Sequence, residues 1–306
     1  MPRSLVLGNG NMLATFDDSL QLRDFYYPYV GMEDHTTFGK FHRVGLFVDG
    51  QMSWLSDGSW QIDLKYHDET LVGKCTARNA ALGLEVLFED FVYTTHDILF
   101  RKLTITNHSD RSREIKPFFH YDLHIYEDKA KDTAQFEPDL RAVLHYRQDR
   151  YFLLGGRWLT GAGLDQYAIG KTGYDGLEGT WRDADDGWLQ NNPIEQGSVD
   201  STLGFRAEFE PGGTQTLFSW VIAGRHYDDV CAGQAFIEEL GMNKIFSHTK
   251  LFWQQWTNEG RQEFGNLPAG VVDLYKRSML VVRTQTDNRG AIIAANDSDN
   301  MKFNRD

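Results

Sequence analysis

The sequence predicts a mainly β chain, one large antiparallel sandwich followed by helices. Three observations predict it. Short segments of alternating apolar and polar residues, bounded by Gly, Asn, Asp or Ser, recur from Ser4 to about Arg225. No convincing helical period interrupts them over that length. Near His226 the period changes to a helical one and stays there.

Taken in order, residues 5–7, 12–16, 20–27 and 43–48 read as short strands. Asp49-Gly50 separates Leu46-Phe47-Val48 from Met52-Ser53-Trp54, a strong hairpin signature. Segments 61–66 and 70–77 follow, then longer strands at 82–93, 98–106, 113–126, 140–146, 151–154, 201–209 and 214–223. The loop-rich stretch 155–193, with its acidic run Asp183–Gly187, reads as a surface excursion. Regular spacing of this kind argues a sandwich against an alternating α/β fold. Residues 227–240 carry acidic side chains in the first turn and Gly241 just beyond the end, a well-marked helix. A second helix over 243–259 places Ile245, Phe246, Leu251, Phe252 and Trp256 mostly on one side, and Gly260 stops it. Pro268 opens a third, with Val271, Val272, Leu274, Tyr275, Met279, Leu280 and Val282 at helical spacing and a turn at 287–290. The apolar run 291–295 that follows has nothing left to pack on. Units of 1–225, 226–267 and 268–306 are therefore expected, as the front part of a longer protein.

Length alone, 306 residues, allows one large β domain or two ordinary ones. With 31 basic against 44 acidic residues, the net charge of −13 argues against nucleic acid and anionic membranes as partners. An aromatic share of 13% in an acidic protein suits neutral sugars. Cys75 and Cys231 stand far apart, with neither disulfide framework nor zinc spacing. The first residues hold only a four-residue apolar patch, and nothing approaches membrane-span length. The expected location is the cytoplasm, or outside the cell if a leader has been removed.

Several motifs invite a chemical reading and are weighed against plainer ones. Gly8-Asn9-Gly10 follows Leu5-Val6-Leu7 as a dinucleotide-binding turn would, but Leu13 occupies the third glycine position and a strand follows. A tight hairpin is expected instead. His120, Asp122 and His124 share one strand face, about 6.5–7 Å apart, too far for a compact metal site. A solvated or sheet-packing face is expected, with no metal ligand. Asp297-Ser298-Asp299-Asn300 lacks the spaced Gly and terminal Glu of a calcium loop. Glu85 and Glu89 alternate outward on a strand and read as surface residues, and no carboxylate pair, Asp183 with Asp185 and Asp186 included, stands out as an acid and base. The stretch 23–35, RDFYYPYVGMEDH, is the most distinctive in the sandwich. Its rings either stack on sugar C–H surfaces or cement the sandwich or a domain interface. Tyr27, Tyr29 and His35 are the candidate substrate-binding residues.

Taken together, LGNGNMLATFD at 7–17, the 23–35 stretch and VRTQTDNRGAIIAANDSD at 282–299 resemble the bacterial and archaeal branch of glycoside hydrolase family 15. That family includes glucoamylases, glucodextranases and some trehalases. The resemblance runs through the whole chain in order. It implies a galactose-mutarotase-like super-sandwich, linker helices and the first helix of an incomplete (α/α)6 barrel. In the family, the loop matching 290–306 leads into a Trp-x-Arg-Asp element, and this sequence ends at Asn304-Arg305-Asp306 before any such element. The family's general acid and base are glutamates deeper in the barrel, so no catalytic residue is carried over. The resemblance thus implies the inactive N-terminal part of an inverting exo-α-glucosidase without cofactor, whose partners are its own barrel and an α-glucan or maltooligosaccharide. The alternatives are a freestanding carbohydrate-binding module and the N-terminal domain of a sugar phosphorylase relative. The linkage attacked is left open.

Overall fold

Aromatic and β-branched residues at alternate positions fit a pleated surface, and turn residues cut them into short antiparallel strands. The computed structural model describes residues 3–36, 42–128, 131–173, 176–260 and 263–295. Among these, β1 (Leu5–Gly8), β2 (Leu13–Phe16) and β3 (Leu22–Tyr26) form a small meander. Next come β4 (Arg43–Val48), β5 (Gln51–Trp54), β6 (Gln61–Asp63), β7 (Cys75–Asn79), β8 (Leu84–Val92) and β9 (Ile98–Asn107). They are followed by β10 (Arg113–Tyr121), β11 (Asp132–Glu137), β12 (Ala142–Arg147), β13 (Arg150–Trp158) and β14 (Gln166–Lys171). The last strands are β15 (Ile194–Gly197), β16 (Val199–Gly204), β17 (Ala207–Phe209) and β18 (Thr214–Gly224). One sheet runs β14-β16-β10-β4-β5, with β17 also on β10. The other runs β15-β11-β12-β13-β18-β9-β8-β7-β6.

Alternation decides what each face covers. In β10, Phe119 and Tyr121 enter the core between the sheets, while Phe118 points to the outer side. In β18, Leu217, Val221 and Ala223 face inward, whereas Phe218, Trp220 and Ile222 face outward. Both faces are covered, which explains why these strands are apolar almost throughout. The outer face of the larger sheet carries Val230 and Ile237 of α1 (Tyr227–Leu240) and Ile245 of α2 (Met242–Thr257). Burying each such side chain contributes about 1.5–3 kcal/mol. The outer face of the smaller sheet is covered by the 3-10 turn Thr180–Asp186 with Ala184 and Leu189.

Three strands lie where the sequence suggested loops. β14 falls inside the expected 155–193 excursion, and β11 and β15 were not anticipated. Their buried positions are partly polar, Gln166, Asp132 and Thr133 among them, so the apolar alternation that marks a strand is broken. Of the two readings of His120, Asp122 and His124 the packed one holds, since all three are buried, and His120 Nε2 lies 2.8 Å from Asp200 Oδ2. Their shared strand face is corrected, because β10 ends at Tyr121 and His124 Nε2 lies 3.2 Å from Asp122 Oδ1. Glu89 is also buried, 2.7 Å from His67 Nε2 and paired with Lys102, while Glu85 meets Arg78 nearer the surface. The sequence 297–300 lies outside the described residues.

The third helix, α3 (Ala269–Thr284), is held to the sandwich along one side, where Lys276 also pairs with Glu69 and Arg283 donates to Asn9 O at 3.3 Å. Arg277 donates to Thr70 O at 2.6 Å and lies over the Tyr66 ring, and Leu280 packs with Leu71 and Trp253. Much of the rest of its apolar surface faces solvent: Leu274 is 66% and Val282 60% exposed.

Candidate functional site

The three stretches that carry the family resemblance meet at one place. The β1–β2 hairpin comes first. Asn9 Oδ1 accepts from the backbone N–H groups of Asn11 and Met12, at 3.0 and 2.9 Å. Its Nδ2 donates to Tyr93 O and Asp97 Oδ1, both at 3.1 Å. A buried amide thus shapes the turn and ties it to the β8–β9 connection. The turn's own carbonyls are left to face outward.

The segment after α3 takes them up. Asn288 N donates to Gly10 O at 2.9 Å, and Asn288 Nδ2 to Asn9 O at 3.2 Å. Arg283 braces Asn288 Oδ1 at 2.7 Å and Thr286 O at 2.8 Å. Asp287, itself buried, accepts from Arg289 N at 2.8 Å and from Val30 N at 3.1 Å. That last bond joins the turn to the aromatic loop. Gly31 sits at φ +85°, and a Cβ there would come 1.8 Å from a methyl of Ile293. Only glycine lets the two backbones approach this closely.

Within the aromatic loop the rings divide. Tyr29 is half-buried, with the Arg289 guanidinium 4.3 Å and that of Arg225 5.8 Å from its ring centre. Arg225 Nη2 also donates to the Tyr29 hydroxyl at 3.3 Å. Tyr27 is buried edge-on to Phe152, and its hydroxyl is pushed above the usual tyrosine value by burial. His35 is wholly enclosed, 4.8 Å from the Phe152 ring, and its Nε2–H donates to Tyr27 O at 2.7 Å. Burial lowers the His35 pKa to about 4, so the ring is neutral at pH 7. Behind them Asp34 Oδ1 accepts from Phe25 N, Thr36 N and Thr36 Oγ1 at 3.0, 3.0 and 2.8 Å. Arg150 closes the loop with a two-pronged pair to Glu33 at 2.8 and 2.9 Å. Of the three residues singled out by sequence, Tyr29 alone offers part of its ring to solvent. Tyr27 and His35 form the loop's inner packing.

Next to Arg225, the partner of Tyr29, a cleft of about 340 Å³ opens, lined by Tyr27, His96, Asp97, Arg225, Asp229 and Gly233 among others, though not by Tyr29 itself. Asp229 Oδ2 accepts from Arg225 N and His226 N at 2.9 and 3.0 Å, capping α1. Burial raises the Asp97 carboxyl, against the hydrogen bonds from Asn9 and Asn11 that lower it. Both carboxylates are thus committed to local donors and act as fixtures of the cleft. Among the described residues, no group of three or more His, Cys, Asp or Glu could hold a metal ion. No described helix is long and apolar enough to cross a membrane. Arg225, Arg289 and Asp97 were not singled out in the sequence, and Asp287 was seen there only as the start of a turn. Asn9 was seen there only as part of a turn.

No family model matches this chain. An uncharacterized glycosyl hydrolase of Methanocaldococcus jannaschii is 24% identical over 296 residues, which is 95% of this chain and 46% of that protein. Among solved structures, a bacterial glucoamylase complexed with acarbose superposes with a TM-score of 0.70 at 14% identity. The match covers 93% of this chain and 41% of the glucoamylase. The fold is glycoside-hydrolase-related. A putative kojibiose phosphorylase from the human microbiome reaches a TM-score of 0.44 at 10% identity, too distant to bear on the argument. The chain spans less than half the length of each of these proteins.

Proposed function

We propose that the chain is the N-terminal part of a carbohydrate-active enzyme, a glucoamylase-like inverting exo-α-glucosidase of glycoside hydrolase family 15. Residues 1–225 are its sandwich, 226–267 its helical linker and 268–306 the start of an (α/α)6 barrel. The observation that carries this reading is the junction of hairpin, aromatic loop and post-α3 turn, because the three resembling stretches share one set of contacts. The exposed side of α3 supports it. A helix with Leu274 and Val282 bare has an apolar face suited to further helices. In this reading those helices are the remainder of the barrel.

The chain's own work is structural and positional. Inversion needs a carboxylic acid and a carboxylate roughly 6.5–9.5 Å apart across the sugar. Asp97, Asp229 and Asp287 each accept hydrogen bonds from nearby amides and backbone N–H groups, and in this reading both catalytic groups belong to the barrel. Tyr29, fixed between Arg225 and Arg289, stands at the rim as the α-glucan contact, with Tyr27 and His35 holding its loop from behind. The test compares glucose release from maltooligosaccharides by the 306-residue chain and by the chain extended through its barrel. Release by the longer protein alone is expected. Turnover by the 306 residues themselves would overturn the division of labour.

A further inference from the structure

We propose that Trp188 is a preformed stacking platform for a neutral sugar ring, on the opposite outer face of the sandwich from the Tyr29 rim. The turn Thr180–Asp186 that leads to it packs on β5, β10, β14 and β16, whereas α1 covers β13 and β18 of the other sheet. Its side chain is 58% exposed, while the other seven tryptophans are buried or half-buried. An exposed indole gains nothing for the fold by itself. What surrounds it is nonetheless rigid.

Gly187 adopts φ +81° and lies so close to Phe47 that a Cβ would come 2.5 Å from the ring. Its carbonyl accepts from two buried side chains, Lys116 Nζ at 3.2 Å and Gln166 Nε2 at 3.1 Å. Trp188 N donates to Asp186 Oδ1 at 2.9 Å, and the next residue, Leu189, is buried with its N–H on Gln166 Oε1 at 2.9 Å. Gln190 is then held by Asp183 at 2.9 and 3.0 Å. The Lys116 ammonium stands 3.8 Å from the indole centre and covers one face. The opposite face is left for a ligand.

A ring whose backbone and orientation are already fixed loses little freedom on binding. Indole faces match the C–H side of a pyranose, and the exposed Asp185 and Asp186 can accept hydroxyl hydrogens. Asp185 pairs with Arg182 at 3.7 Å, and it is the chain's net charge of −13 that disfavours a polyanion here. A stable protein partner would need roughly 1,000 Å² of complementary surface, and the loop residues beside the indole are polar. The choice of an α-glucan as first probe rests on the proposed function; the platform does not.

Maltoheptaose, cellohexaose and a sulfated glucan are titrated into the 306-residue protein and its Trp188→Ala, Trp188→Tyr and Tyr29→Ala variants, followed by tryptophan fluorescence and saturation-transfer NMR. A neutral oligosaccharide is expected to shift the fluorescence at millimolar concentration, and the sulfated glucan is not. Trp188→Ala should weaken binding at least roughly tenfold, about 1.4 kcal/mol. Trp188→Tyr should restore much of it, and Tyr29→Ala should leave the fluorescence response intact. An unchanged thermal midpoint for Trp188→Ala shows that the fold is retained. A response to cellohexaose alone keeps the platform and argues against the α-glucan reading. No response to either neutral sugar, a tryptophan-fluorescence response that survives Trp188→Ala in full, or a Trp188-dependent dimer without sugar binding overturns the platform.

Discussion

Asn9 concentrates more of the candidate site than any aromatic residue does. Its amide satisfies two backbone donors and reaches two acceptors across to Tyr93 and Asp97. Removing one partner of a buried set costs the desolvation of each group left behind, about 1–3 kcal/mol apiece. Asn9→Ala is therefore expected to lower stability by about 2–4 kcal/mol, read as the shift in urea midpoint at constant slope. It should also raise hydrogen exchange at Asn288, whose N–H rests on Gly10 O. An Asn9→Ala variant with an unshifted midpoint would show that the hairpin holds its shape without this side chain. Glycine–asparagine punctuation made the turn legible in sequence. The long-range partners were not, because hydrogen bonds to residues 84 and 88 positions away leave no local pattern. The Tyr29–Arg225 contact, 196 positions apart, was hidden for the same reason.

At the level of elements, legibility followed how apolar the inner face of each strand is. β8, β9, β10 and β18 alternate or run apolar over nine or more residues and were readable. β11, β14 and β15 are short, with buried or half-buried polar positions, and only their neighbours' hydrogen bonds define them. The helices were legible from period and caps, α3 included. A differential prediction belongs to α3. Leu280, buried against Leu71 and Trp253, should cost about 2–5 kcal/mol when cut to alanine. Leu274→Lys and Val282→Lys should each change the 306-residue chain by less than about 0.5 kcal/mol, since both side chains are already in water. If the proposed barrel follows α3, the same lysines would meet its apolar helices in the longer protein, and thermal midpoint and glucose release should both fall. Equal midpoints for the wild type and lysine variants of that longer protein would show that this side of α3 stays uncovered.

Across the whole molecule, buried titratable groups set how stability varies with pH. Burial lowers His35 to about 4 and His42 and His145 to about 3. Below the ordinary histidine value near 6.5 the unfolded chain takes up protons that the folded one refuses, so these three make stability fall as pH drops from about 6.5 toward their folded values. Burial raises Asp34 to about 6 and Asp132 to about 7. Their sign is opposite: the folded chain keeps protons that the unfolded one releases, so stability is present at low pH and lost as pH rises from about 4 through those values. Between about pH 4.5 and 6 the three histidines each gain a proton on unfolding while Asp34 and Asp132 each lose one, every such proton worth about 1.4 kcal/mol per pH unit, and Asp17, Asp90 and Asp97, also raised by burial, act in the sense of the two aspartates. His42 is the residue to change, because both its ring nitrogens are buried without a hydrogen-bond partner. His42→Leu should change the slope of stability against pH by about 1.4 kcal/mol per pH unit in the falling direction, whereas Asp132→Asn should change it by about as much in the opposite sense. Urea midpoints measured at half-unit steps of pH decide the matter. Curves for the two variants that run parallel to the wild type would mean that neither group titrates differently in the folded and unfolded chains.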